Sequence, residues 1–171
     1  MKLGGPGVIC QIDESAFSHK PKYHRGRAPK SEIWVFGIVD TSFTPGRAYL
    51  QIVEDRSAAT LLPIIRDVCK PGTIIHSDSW AAYSSIKRDL GFTHQQVNHS
   101  DVNHRFVAPD GTHTQAIESY WSKRKLRVKK MKGIRRNMLC EYLHEFMWRD
   151  FFGTDSFINL LRHISEQYPL L

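Results

Sequence analysis

Three carboxylates stand where side-chain chemistry is expected: Asp13 at the end of a β-rich run, Asp78 just after a short apolar run, and Glu118 early in a helical pattern. Gathered together, three acids repel one another and raise each other's pKa unless a cation joins them. Oxygen-only donors suit hard ions. Mg2+ takes a few carboxylates plus phosphate and water, and two ions about 3.5–4 Å apart stabilise the attacking and leaving oxygens of an in-line displacement. The chemistry suggested is phosphoryl transfer with two Mg2+ (or Mn2+) ions and no nucleophilic serine or cysteine. Taken singly, each acid has an ordinary explanation: a strand-end turn residue, a helix cap and a solvent-facing glutamate. Only their combination with the order of elements and a basic segment downstream favours a shared site.

Those elements are readable from periodicity. Val8, Cys10 and Ile12 alternate with Ile9, Gln11 and Asp13, predicting a first strand that ends in the acidic pair Asp13 and Glu14. The runs Ile33 to Asp40 and Ala48 to Glu54 flank a Pro45, Gly46 turn and predict a hairpin. Ser57 is a candidate N-cap for a helix with Leu61, Leu62, Ile64, Ile65 and Val68 on one face, and Pro63 predicts a late start or a kink. TIIHSD reads as a buried strand, Trp80 to Ile86 as a helix and Thr93 to Val97 as a fifth strand. The aperiodic stretch after it predicts a long surface loop. Helical patterns then run from Gln115, from Asn137 to Phe152 and from Ser156 to Gln167. This order predicts an α/β fold, an RNase H-like mixed five-stranded sheet of three antiparallel strands followed by parallel strands, flanked by helices. At 171 residues and 41% hydrophobic content, one domain over 1–171 is expected, with a core at about 8–152 and a helical extension at 153–171.

The formal net charge of +7 favours a polyanionic partner. Lys123, Arg124, Lys125, Lys129, Lys130, Arg135 and Arg136 belong to a run without an acidic residue, and Arg25 and Arg27 sit in a basic loop after the first strand. A phosphate-tracking DNA surface and a solvated helix face are both compatible with such a run. Cys10, Cys69 and Cys140 read as reduced thiols in apolar settings, and Trp34, Trp80, Trp121 and Trp148 as core residues rather than base-stacking platforms. His76 shares a strand side with Asp78 and reads as a structural histidine or a support to the acids. No apolar run approaches the roughly 20 residues of a bilayer span, so no membrane partner is expected. Without a secretory signal pattern, the expected location is the nucleus in a eukaryote, or the cytoplasm and nucleoid in a bacterium.

The segments QIDESAF, HRGR, WVFGIVD, DRSAATLLPII, PGTIIHSDSWAAY, VNHS, GTHTQAIESYWSKRK and YLHEFMWR occur in an order that resembles Merlin-type DDE transposases. These are eukaryotic cut-and-paste elements related to bacterial insertion-sequence transposases, and the resemblance covers about residues 8–152. It implies that Asp13, Asp78 and Glu118 are the catalytic and metal-binding acids of the IDES, SD-W and IES-W motifs. It implies DNA strand cleavage and strand transfer, with transposon ends and target DNA as partners and a homodimer or higher oligomer on DNA as the assembly. Some bacterial relatives carry asparagine in the segment just before the IE pair, and the corresponding place in this chain is Gln115. The family lysine after IES-W falls on Lys125 or Lys123. Relatives usually carry an N-terminal DNA-recognition module, which is expected to be supplied elsewhere. The alternatives are a domesticated, non-cutting DNA-binding protein and another RNase H-like nuclease or integrase.

Overall fold

The computed structural model describes residues 1–17, 32–98 and 107–169. Five strands form one sheet: β1 (Ile9–Ala16), β2 (Trp34–Asp40), β3 (Arg47–Val53), β4 (Ile74–Asp78) and β5 (Thr93–Val97). Their order is β3-β2-β1-β4-β5. The first three strands pair antiparallel, and β1, β4 and β5 run parallel. This is the RNase H-like arrangement predicted from the sequence.

Strand alternation divides the core between two faces. On one, Cys10, Ile12, Phe36, Ile38 and Ile75 pack with Leu61, Ile64, Ile65 and Val68 of α1 (Ala58–Val68). Ser57 caps α1 by accepting from the Thr60 N–H. Pro63 lies inside the helix, which nevertheless starts at Ala58 rather than late; the buried stripe on either side of the proline holds the segment to the sheet. On the other face, Val35, Val39, Ala48 and Leu50 meet α2 (Gln115–Lys130) and α3 (Leu139–Phe152) through Ile117, Trp121, Leu139, Leu143 and Phe146.

Three local expectations change. β1 does not end at its acidic pair but continues to Ala16, because β2 pairs with it along its length from Cys10↔Asp40 to Ala16↔Trp34. The helix expected at Trp80 to Ile86 is two short turns, a 3-10 turn at Ala81–Tyr83 and a π-turn at Ile86–Leu90. Tyr83 and Ile86 are both buried against the α1 face, and Gly91, at φ 73°, ends the second turn in a left-handed conformation. Cys140 is exposed, whereas Cys10 and Cys69 are buried. The last helix, α4 (Ser156–Gln167), presents Phe157, Ile158, Leu160, Leu161 and Ile164 to solvent.

Between α2 and α3 lies an ion pair that leaves little room for change. Arg124 donates to Asp150, with side chains 16% and 4% exposed, and the Tyr120 hydroxyl donates to the same carboxylate at 2.7 Å. Removing one member of such a pair strands the other charge, at a cost of about 3–5 kcal/mol. R124M is expected to lower stability by that order in urea denaturation, and the double variant R124M/D150N is expected to recover much of the loss.

Candidate active site

The ladder between the parallel strands β1 and β4 ends at Gln11↔His76. β1 runs on beyond it, so Asp13 stands where the sheet opens, beside Asp78 at the end of β4. Burial pushes the Asp13 carboxyl up to about 7, and the charges of Glu14 and Asp78 add to the shift. The Trp121 indole N–H, donating to Asp13 Oδ2 at 3.1 Å, pulls it partly back. That indole reaches the strand because its neighbour is glycine: a Cβ at Gly37 would lie 2.5 Å from Trp121 Cζ2. Asp13 thus faces α2. Glu14 alternates to the α1 face, where the Tyr83 hydroxyl donates to it; burial raises its pKa and Asp78 adds to the effect.

α2 is fixed to this edge by a residue that sequence reading passed over. Gln11 is buried, and its Oε1 accepts from the backbone N–H of Ala116 at 2.9 Å and of Ile117 at 3.1 Å. These are first-turn donors that a helix cannot satisfy itself, and Thr114 makes no side-chain cap. Accepting two N–H groups fixes the amide orientation, so Nε2 donates to His113 Nδ1 at 3.2 Å. The available signal was alternation: Gln11 lies two residues before Asp13 and shares its face. Glu118 stands in the first turn of α2, exposed, with Oε1 accepting from the Thr114 hydroxyl at 2.8 Å.

The donor chemistry at the sheet edge is all oxygen, with surplus negative charge, which fits a hard divalent cation and no soft one. Among the described residues, no group of three His, Cys, Asp or Glu side chains stands together as a metal site. The aspartates feel each other across the strand pair, while Glu118 is turned to Thr114. His76 is buried and donates from Nε2 to Gln95 Oε1 at 3.0 Å.

The basic residues take different places. Lys125 is exposed on α2; partial burial of its ammonium lowers its pKa, and the charge of Asp13 pushes back in the other direction. Lys125 thus lies within electrostatic reach of Asp13, and its Nζ lies 5.8 Å from the centroid of the Phe17 ring just beyond β1. Arg124 turns inward to Asp150 and is not part of the exposed basic surface. Lys123, Lys129, Lys130, Arg135 and Arg136 are exposed, and Arg25 and Arg27 lie outside the described residues. Trp121 and Trp34 are buried and half-buried, but Trp80 is 41% exposed, against expectation.

Residues 5–150 match the ISXO2-like transposase domain. The chain belongs to this family. Among relatives of the ISXO2-like chain, an uncharacterized transposase-like protein of Haemophilus influenzae is 32% identical over 107 residues, covering 60% of this chain and 80% of the relative. Two solved structures resemble it in shape. One is a simian T-cell lymphotropic virus intasome in complex with PP2A regulatory subunit B56 gamma, with TM-score 0.48, 15% identity and coverage of 87% of this chain. The ISXO2-like chain spans about half of that neighbour, 52%. The other is the HTLV-2 integrase catalytic core domain in complex with magnesium, in dimeric form, with TM-score 0.45, 12% identity and 84% coverage of both chains.

Proposed function

We propose that the chain, read over 1–171 as one catalytic domain, is a DDE transposase that cleaves and joins DNA strands with divalent metal. The observation that carries this reading is the pair Asp13 and Asp78, crowded together at the open end of the β1–β4 pair in a chain of the ISXO2-like transposase family. Asp13, Asp78 and Glu118 would hold Mg2+ or Mn2+, as two ions whose chemistry is to stabilise the attacking and leaving oxygens of an in-line displacement. Glu118 joins the aspartates by exchanging its bond to Thr114.

The chain's own groups do the positioning. Trp121 holds the Asp13 carboxylate through Oδ2, and Gln11 holds the helix that carries both Trp121 and Glu118. Lys125, coupled to Asp13, meets the non-reacting oxygens of a phosphate at the edge, which supports Lys125 over Lys123 as the family lysine. The exposed lysines and arginines from Lys123 to Arg136 bind the DNA backbone, an affinity that falls steeply with salt. The IDES, SD-W and IES-W segments support the Merlin type within the broader family, with transposon ends and target as substrates and a dimer or higher oligomer as the working assembly.

The test is nicking of supercoiled plasmid and of terminal-repeat duplexes by the purified chain. Cleavage with Mn2+ or Mg2+ and none with EDTA is the expected result. Salt-sensitive DNA binding without cleavage under any metal would instead establish the non-cutting DNA-binding reading.

A further inference from the structure

Beside the acidic edge stands a cluster that the phosphoryl-transfer reading does not use. Arg56, in the connection between β3 and α1, lays its guanidinium 3.9 Å from the centroid of the Trp34 ring and 5.0 Å from that of Trp80. Trp80 donates its indole N–H to the Arg56 carbonyl at 3.2 Å, and its backbone N–H to Asp78 Oδ1 at 3.0 Å. The indole is thereby tied to the β3–α1 connection and its backbone to an aspartate of the site two residues earlier, yet 41% of the residue stays exposed. Arg56 makes no ion pair with another described residue, and its charge is felt by Glu14 at the same edge.

A fixed, half-open indole beside a guanidinium has the two features that an unpaired nucleotide needs. The ring face stacks a base of any sequence, and the guanidinium meets the adjoining phosphate. A tryptophan serving only to pack would bury its ring, as Trp121 does at 4% exposure. We propose that Trp80, backed by Arg56 and Trp34, is a stacking platform for an unpaired nucleobase of the DNA end, holding the strand so that its phosphate lies at Asp13 and Asp78. Trp80 is a positioning residue on this account. The inference rests on the DNA-processing reading above and names the part of its substrate that the site grips.

Metal-free binding separates the two. Fluorescence anisotropy in EDTA would compare three labelled duplexes: one with a short 3′ overhang, the same overhang made of abasic sites, and a blunt end. The wild-type chain is expected to bind the base-containing overhang about tenfold more tightly than the abasic one. W80A is expected to erase that preference while keeping the blunt-end affinity, W80F to retain most of it, and R56A to weaken both overhangs. Equal wild-type affinity for the base-containing and abasic overhangs overturns the platform, a comparison that needs no variant to fold. A preference that survives in a folded W80A overturns it as well. If the wild type nicks DNA with Mn2+ yet shows no base preference, only the platform is lost; if it binds no DNA, both readings are lost.

Discussion

Asp13→Asn and Asp78→Asn are each expected to reduce metal-dependent DNA strand cleavage by roughly 10³-fold or more, the order of loss when a group that stabilises transition-state charge is removed. Asparagine keeps the size of the side chain and one acceptor oxygen, so Trp121 can still donate to position 13 and the backbone N–H of Trp80 to position 78. What disappears is negative charge. On the proposed reading DNA binding rests on the exposed cations of α2 and the segment after it, and should persist. Gel-shift affinity measured beside cleavage therefore reports the two functions separately. Unchanged cleavage by both variants would remove the aspartates from the chemistry.

The second large effect is on stability. The Asp13 carboxyl, raised by burial to about 7 from an ordinary value of 3.8, holds its proton more tightly folded than unfolded. The folded chain consequently binds more protons between about pH 4 and 7, and metal-free stability falls as pH rises through that window. At about 1.4 kcal/mol for each unit, the loss by pH 8 is on the order of 4 kcal/mol. Glu14, also raised, acts in the same direction. D13N is expected to match the wild type near pH 4 and to be the more stable protein at pH 8. Mn2+ or Mg2+ at pH 8 should restore the wild type by mass action and leave D13N largely unmoved. Urea denaturation across pH, with EDTA or with metal, measures all four conditions; a wild-type profile flat from pH 4 to 8 would contradict the electrostatic account of the site.

Much of the scaffold was legible because it is written in local periodicity. The alternation around Ile12, the hairpin signal at Pro45 and Gly46, and the apolar stripes of α1 and α3 each depend on neighbours a few residues away. The misreadings arise where a distant partner decides. β1 outlasts its acids because β2 supplies a ladder, and Trp80 to Ile86 breaks into two turns because Tyr83 and Ile86 are drawn onto the α1 face. Arg124 looks like one more cation in a basic run, yet Asp150, 26 residues later, turns it inward. Of the three acids, Glu118 falls early in its helix and Asp78 at the end of its strand as their patterns indicated, whereas Asp13, read as a strand end, lies inside β1. The Trp121 contact to Asp13 spans 108 residues, and no local pattern announces it.

The Gln11 amide has a mechanical meaning as well. It ties the first turn of α2 to β1 through two backbone hydrogen bonds, so a shift of the helix along the strand would have to break both. An approach of the glutamate toward the aspartates by rotation of its own exposed side chain would leave both bonds intact, and exposed rotamers exchange within nanoseconds. An enzyme built this way would assemble its cation cradle without unpacking its core.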